Sequence, residues 1–157
     1  MEAGFSSLIG QLLNGLAGAS SLFLVAAGLS LIFGVTRIVN FAHGSFYMLG
    51  LYVAYTLVER LSGSIGFWPA LLLAPLATGV LGAVVEMALL RRIYRAPELL
   101  QLLATFALVL VVKDAVLWAW GPEELFGPRA PGLEGSAHVL GRPFPAYDLL
   151  LIAIVPL

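Results

Sequence analysis

Long stretches without a charged side chain constrain this chain more than any other feature. No Asp, Glu, Lys or Arg occurs from Ala3 to Thr36, from Ile38 to Val58 or from Leu61 to Val85. Each stretch is long enough to cross a bilayer, which takes about 20 predominantly apolar residues. Only 11% of the 157 residues are charged and 61% are hydrophobic, whereas about a quarter of a typical soluble domain is charged. The sequence therefore predicts an integral membrane protein and excludes an ordinary soluble domain.

We expect an all-α fold, a polytopic transmembrane helix bundle with about four complete spans plus the start of a fifth, because helices pair their backbone groups within one segment. The segment 121–147 is rich in Pro and Gly and is expected to be an irregular extracytoplasmic loop, after which Asp148 could cap a new helix. We expect 1–157 to be the N-terminal part of a longer transmembrane domain. The complete spans are placed at about 11–35, 41–58, 68–90 and 99–120, and the fifth begins at 148–157.

Small residues recur at four-residue spacing within the predicted spans. Gly50 and Ala54 lie in the second span, and Ala74, Thr78 and Gly82 lie in the third. Such residues let helix backbones approach one another closely. Two interpretations stay open, namely packing among the helices of this chain and an interface with another subunit.

Arginine and tryptophan positions predict the orientation in the membrane. Arg91, Arg92 and Arg95 follow the third span, and basic residues accumulate on the cytoplasmic side. This end of the span is therefore placed in the cytoplasm, and alternation puts the N-terminus and the 121–147 loop outside. The three tryptophans then lie at the outer interface, where an aromatic belt is expected: Trp68, Trp118 and Trp120.

A short polar break separates the first two apolar stretches. Arg37, Asn40, His43 and Ser45 occur within ten residues, around Gly44. One interpretation is a tight cytoplasmic turn, with Arg37 at a helix C-terminus and Asn40 as the next N-cap. The other is a discontinuous helix near the membrane interior, where these polar groups offer hydrogen bonds beside a solute path. The spacing alone leaves both open.

Three charged residues fall inside or at the ends of the apolar spans. Glu86 precedes Arg91 by about one turn, so it is either part of an interfacial ion pair or a residue that positions the cytoplasmic end of the third span for partner contact. Lys113 and Asp114 are neighbours in the outer half of the fourth span. Because successive helical side chains diverge by about 100°, we hypothesise that Asp114 faces the bundle while Lys113 reaches outward to water.

Several kinds of chemistry are absent from the sequence. There is no cysteine, and the single lysine follows valine, so no phosphate-binding Gly-Lys-Ser/Thr motif exists. The two histidines lack metal-ligand spacing, and no Gly-x-Ser-x-Gly motif occurs. A net charge of −1 argues against nucleic-acid binding. We therefore predict no catalytic residues, no metal and no cofactor, and expect a protein that moves a solute rather than an enzyme.

Three motifs resemble one transporter family. The segment GLSLIFGVTRIVNFAHGSFYMLG at 28–50 contains Asn-Phe-Ala-His-Gly followed by Tyr-Met-Leu-Gly, and it resembles the hallmark segment of permease subunits of branched-chain amino acid ABC importers of the LivH/LivM type. A second match is LRRIYR at 90–95, then ELLQLL at 98–103 and WGPE at 120–123. A third is RPFPAYD at 142–148. Together they cover nearly the whole chain.

The resemblance implies a multi-pass subunit of the bacterial cytoplasmic (inner) membrane that translocates branched-chain, hydrophobic amino acids. Its implied partners are a second permease subunit, cytoplasmic ATPase subunits that hydrolyse ATP, and a periplasmic solute-binding protein, besides the lipid bilayer. Glycine lets the backbone come close to a solute path, and polar side chains can hydrogen-bond a passing solute. The residues expected to line the path are therefore Asn40, His43, Gly44, Ser45 and Tyr47.

Four alternatives to this function stay open. Related permeases carry other amino acids, or urea and short amides. An ion-coupled secondary carrier would use Lys113 and Asp114 as coupling charges. The chain could also be a truncated remnant without transport activity.

A contact surface for partner subunits is expected at the cytoplasmic end of the third span. Its expected residues are Glu86, Arg91, Arg92 and Arg95.

Overall fold

The computed structural model describes residues 2–38, 40–61, 66–127, 130–139 and 142–155. These residues are mostly helical, as expected, and helices occupy all four segments that were placed as complete spans. The elements, in chain order, are α1 Glu2–Thr36, α2 Ala42–Leu61, α3 Phe67–Val85, a π-helical turn Glu86–Leu90, α4 Arg91–Ile93, α5 Glu98–Trp120, strands β1 Ser136–Val139 and β2 Arg142–Pro145, and α6 Ala146–Ile154.

The described residues fall into two compact units, one from 29–128 and one from 1–28 with 129–157. In the first, α2 packs against both α3 and α5. A buried apolar cluster of Ala42, Leu108, Val112 and Val116 joins α2 to α5. The three α5 members recur at four-residue spacing, so they form one face of the helix. This face fixes α5 alongside α2.

Helices α2 and α3 meet where Gly50 faces Thr78. A Cβ built on Gly50 would lie 3.5 Å from the Thr78 Oγ1 atom, at ordinary van der Waals distance. Ala74, one turn before Thr78, is buried as well. Gly50 and Thr78 therefore pack against each other within the chain, as in the first of the two interpretations given for the spacing of small residues.

The last turn of α5 is tied to α2 by an aromatic and a polar contact. The Trp120 indole Nε1–H donates a 2.8 Å hydrogen bond to the Thr56 hydroxyl. The rings of Trp120 and Tyr52 are 5.4 Å apart, with an interplanar angle of 47°. Helix α5 then ends at Gly121, whose φ of 83° is one that residues with a Cβ rarely adopt. The Trp120 end of α5 therefore lies level with Thr56 of α2.

The expected count of spans is not confirmed. Among the described residues, three helices are long and apolar enough to cross a membrane: Ser7–Thr36, Phe67–Ile93 and Glu98–Trp120. Helix α2 was expected to be a complete span but is not among them. Its first turn carries His43 and Ser45 and its last turn carries Glu59 and Arg60, which lower its apolar character. Helix α6 has nine residues, too few to cross a bilayer.

The unit from 1–28 and 129–157 contains a β-hairpin that the sequence did not predict. Strands β1 and β2 pair antiparallel, with Ala137 opposite Phe144 and His138 opposite Pro143. The prediction of an irregular loop over 121–147 is therefore wrong for these strands, and the chain is not strictly all-α. Each strand of a two-stranded ribbon has one unpaired edge, and proline, which has no N–H, is tolerated there. Pro143 and Pro145 can therefore lie in β2. Helix α6 follows β2 with Pro145 as its N-cap, so Asp148 lies in the first turn and does not cap it.

Candidate functional site

We call the polar break between α1 and α2 the corner, and its described residues are 37–38 and 40–41. The Thr36 hydroxyl donates to the Ile32 carbonyl (2.9 Å) and accepts from the Ile38 amide (3.3 Å). Arg37 has a φ of 56°, in the left-handed region that favours glycine. A left-handed residue directly after the last helical residue ends a helix sharply. Helix α1 therefore stops at Thr36 because Arg37 leaves the right-handed helical conformation.

Asn40 starts the second helix. Its side-chain Oδ1 accepts a 3.0 Å hydrogen bond from the Ala42 amide, and its carbonyl accepts one of 3.2 Å from the His43 amide. These are the contacts by which Asn caps a helix N-terminus. The arrangement has the two features of the tight-turn interpretation, namely Arg37 at a helix C-terminus and Asn40 as the next N-cap. The backbone amides of Arg37, Ile38, Ala42 and His43 thus each donate to a nearby acceptor.

The depth of the corner can be read from the packing of α2 on α5. Ala42 belongs to the same buried cluster as Leu108, Val112 and Val116. Leu108 is the member of this cluster nearest to the start of α5 at Glu98, and it lies ten residues along that helix. At about 1.5 Å per residue, Leu108 lies about 15 Å beyond the first residue of α5, whose full length is about 34 Å, and the cluster that holds the first residue of α2 begins at this level. The corner is therefore level with the middle third of α5.

The five residues expected to line a path do not share one environment. Gly44 and Tyr47 are exposed and lie on one face of α2, together with Leu51. His43 and Asn40 are half-buried beside this face. Ser45 is only 8% exposed and faces the packed side of α2, because one residue turns a helical side chain by about 100°. The expectation that Ser45 lines the same surface is therefore corrected.

A second polar cluster lies where α4 turns into α5. The Glu86 carboxylate accepts a 2.9 Å hydrogen bond from the Tyr94 hydroxyl. Gln101 donates through Nε2 to the carbonyls of Tyr94 (3.2 Å) and Ala96 (2.9 Å). Sequence reasoning missed Tyr94 and Gln101, although their position on either side of the short Ala96-Pro97 turn was a usable signal. These three hydrogen bonds stabilise the turn between α4 and α5.

Partial burial raises the pKa of Tyr94 above its ordinary value of 10.0, and the hydrogen bond to Glu86 and the negative charge of that residue raise it further, while Arg91 lowers it. Glu86 was expected either to form an ion pair or to position this end. Within the ranges described, no carboxylate lies within ion-pair distance of Arg91, Arg92 or Arg95, and all three are exposed. The contact that Glu86 makes is with Tyr94.

Lys113 and Asp114 are both exposed on α5. The buried face of that helix is formed by Thr105, Leu108, Val112 and Val116, and Asp114 lies on nearly the opposite side of the helix. The hypothesis that Asp114 faces the bundle therefore does not hold for the helices of this unit, since α2 packs on another face.

No group of three metal-ligating side chains occurs in the part of the chain that the structure describes.

Comparison with known proteins gives consistent matches. A family described as "Branched-chain amino acid transport system / permease component" matches residues 11–155. The high-affinity branched-chain amino acid transport system permease protein BraD of Pseudomonas aeruginosa is 28% identical over 120 residues, which is 73% of this chain and 39% of that protein. The corresponding LivH protein of Escherichia coli K12 is 26% identical over 151 residues. LivH of Salmonella typhimurium is 26% identical over 150 residues.

Both LivH alignments cover 90% of this chain and 47% of the relative. The chain thus spans less than half the length of the curated relatives that it matches. No solved structure matches at comparable significance.

Proposed function

The chain belongs to the family of branched-chain amino acid transport permease components, and on that basis we propose that it forms part of the membrane-spanning permease of an ABC importer. The solute is a branched-chain amino acid, and the membrane is the bacterial cytoplasmic membrane. The names of BraD and LivH, both high-affinity branched-chain amino acid transport system permease proteins, support this solute class.

The position of the corner carries the proposal. The polar break between α1 and α2, about 15 Å along the roughly 34 Å of α5, lies near the bilayer midplane if α5 spans the membrane. Arg37 is exposed there, and a charged side chain facing hydrocarbon costs at least about 2.5 kcal/mol. Irregular backbone and charge are tolerated at that depth only where they line a water-filled cavity or are buried in protein. The corner therefore borders an aqueous path for the solute.

The chemistry of the corner suits an amino acid. Helix α2 has its N-terminus here, and the partial positive charge of a helix N-terminus favours a carboxylate. Arg37 adds a full positive charge nearby in sequence. Both features favour an amino acid over urea or a short amide, which carries no carboxylate. Asn40, His43, Gly44 and Tyr47 are the residues proposed to contact the solute.

Energy comes from partner subunits. On this proposal, which follows the ABC importer family, ATP is hydrolysed on separate cytoplasmic ATPase subunits, and a periplasmic binding protein delivers the solute. A second permease completes the path. ATPase closure then shifts the permease pair between outward-open and inward-open states.

Uptake of radiolabelled leucine tests the function. Cells that lack their own branched-chain uptake are given this chain together with the proposed partners. We expect leucine accumulation that needs this chain, stops on ATP depletion and survives collapse of the proton gradient. Accumulation that follows the proton gradient would indicate an ion-coupled carrier. Absence of uptake that depends on this chain would refute the proposal.

A cysteine variant tests the site. The chain has no cysteine, and a Cβ at Gly44 or at Gly79 of α3 meets no atom within 4 Å. We expect a membrane-impermeant thiol reagent to block uptake through Gly44→Cys, and excess leucine to slow that reaction. Gly79→Cys, the matched control in an apolar helix, should be unaffected. Equal behaviour of the two variants would argue against a path at the corner.

A further inference from the structure

Three exposed arginines lie at the end of the helical segment Phe67–Ile93. We call them the arginine cluster, and they are Arg91, Arg92 and Arg95. Tyr94 keeps right-handed helical φ and ψ angles of −57° and −26°, so the helical turn continues towards Arg95. At about 100° per residue, the three positions lie within an arc of about 100° around the helix axis. The side chains of the cluster therefore leave the helix end on one side.

Acceptors in the turn beside the arginine cluster bind other donors. The Glu86 carboxylate accepts from the Tyr94 hydroxyl, and the carbonyls of Tyr94 and Ala96 accept from the Gln101 side chain. Glu98 begins α5, where the partial positive charge of a helix N-terminus stabilises a carboxylate. Over the ranges that the structure describes, no carboxylate oxygen lies within 4.0 Å of a guanidinium nitrogen of the cluster. The cluster is thus positively charged without an ion-pair partner among those residues.

The arginine cluster lies at headgroup depth when α3 and α5 cross a bilayer. Phe67–Ile93 has 27 residues, which is about 40 Å of helix, whereas the hydrocarbon core is about 30 Å thick. Only residues 94–97 separate this segment from α5, and so short a turn does not carry the arginines far from the membrane surface. The guanidinium groups therefore stay within reach of lipid phosphates.

Exposed apolar side chains flank the arginine cluster on both sides of the turn. Met87 and Leu89 precede it and are 55% and 42% exposed, and Leu99 and Leu103 of α5 are 68% and 56% exposed. Acyl chains pack on such a surface while the phosphate of the same lipid meets the arginines. A stable protein interface takes about 800 Å² from each partner, which the turn 94–97 is too short to provide by itself. The combination favours lipid over a soluble protein.

We propose that the arginine cluster binds the phosphate of an anionic phospholipid. Guanidinium groups pair bidentately with phosphate oxygens, and basic pockets at the ends of membrane helices hold anionic headgroups. A zwitterionic lipid carries an ammonium group that the cluster repels, so charge selects anionic lipids. The proposal rests on the proposed membrane function only in requiring that α3 and α5 cross a bilayer. It assigns to lipid the contact surface that the sequence leads us to expect for a partner subunit.

Fluorophores on single cysteines measure the lipid selectivity, because the natural chain has no cysteine. Leu99→Cys places the label beside the arginine cluster. Leu72→Cys is the matched control, because Leu72 is 76% exposed and lies near the other end of α3. The whole chain is reconstituted in phosphatidylcholine containing either brominated phosphatidylglycerol or brominated phosphatidylcholine, and bromine quenching gives relative association constants. At the Leu99 label we expect a preference of about threefold or more for phosphatidylglycerol, weakened by salt, and none at the Leu72 label.

Substitution of the arginines tests the assignment. Replacing all three by glutamine should abolish the preference at the Leu99 label. Replacing all three by lysine should keep part of it, because lysine keeps the charge and loses the bidentate geometry. Arg60→Gln, the matched control, removes an exposed arginine of α2 outside the cluster and should leave the preference unchanged. Quenching of the Leu72 label in each variant verifies insertion into the bilayer, so misfolding is recognised.

Two results would overturn the proposal directly, namely equal preference at the two labels and a preference that survives the triple glutamine variant. Unchanged lipid selectivity in that variant, together with reduced copurification of ATPase subunits, would overturn it in favour of a protein partner. The readout needs neither solute nor ATP. Its failure is therefore distinguishable from failure of leucine uptake.

Discussion

The contact between Trp120 and Thr56 fixes the relative level of α5 and α2. Removing its hydrogen bond should therefore lower the free energy of unfolding of the unit 29–128 measurably. Trp120→Phe keeps an aromatic ring near Tyr52 but removes the indole N–H that donates across 2.8 Å to the Thr56 hydroxyl. Thr56→Val removes the acceptor with little change in volume. Interhelical hydrogen bonds in membrane proteins contribute on average about 0.6 kcal/mol and at most about 1.7. Part of the offset ring contact, worth about 0.5–1.5 kcal/mol, is lost with the smaller ring.

A double-mutant cycle separates these contributions. The free energy of unfolding is measured in mixed micelles for the parent chain, both single variants and the double variant. We expect Trp120→Phe to lower it by about 1–2 kcal/mol and the coupling energy to be about 0.6–1.5 kcal/mol. Because the Thr56 hydroxyl also donates to the Tyr52 carbonyl, Thr56→Val alone includes a local helix effect that the cycle cancels. Strict additivity of the two substitutions would refute a direct bond and the level of α5 derived from it.

Three further predictions address the corner, the α2–α3 contact and the Tyr94 turn. Arg37→Gly should raise the free energy of unfolding by about 1 kcal/mol relative to Arg37→Ala, because only glycine adopts a φ of 56° without strain; equal stabilities would contradict this. Gly50→Ala should be tolerated, whereas Gly50→Leu should cost about 1–3 kcal/mol through overpacking against Thr78, and equal unfolding energies for both would contradict it. The Tyr94–Glu86 hydrogen bond needs the protonated phenol of Tyr94 and is lost as pH rises through the raised pKa of that residue. The phenolate absorbance removed by Tyr94→Phe should therefore appear above pH 10 and shift downward in Glu86→Gln.

Helix positions were predictable because apolar length governs them. A run without charge must stay paired within itself in lipid, so α1, α3 and α5 follow directly from the sequence. The close contact at Gly50 was predictable in kind, since small residues at four-residue spacing allow helices to approach. Which helix provides the opposing surface was not predictable, because the spacing is the same for packing within a chain and between chains.

The parts that sequence reasoning missed depend on tertiary position. A turn capped by Asn40 has the same local pattern at the membrane surface and at mid-depth, and only the packing of Ala42 in one cluster with Leu108, Val112 and Val116 distinguishes them. The β-hairpin was missed because Pro143 and Pro145 argue against a strand, and an edge position tolerates them. The exposure of Asp114 was missed because neighbouring positions in one helix do not reveal which face packs on α2.

The depth of Gly44 tests the central claim most directly. Single-cysteine variants at Gly44 and at Glu98 each carry a nitroxide label in bilayers, and collisions with oxygen and with a water-soluble nickel complex report the depth and hydration of each label. The corner is expected to lie about 15 Å deeper than the start of α5 and yet to be accessible to the water-soluble complex. Labels at equal depth, or a Gly44 label that only oxygen reaches, would contradict a polar corner bordering an aqueous path at mid-membrane.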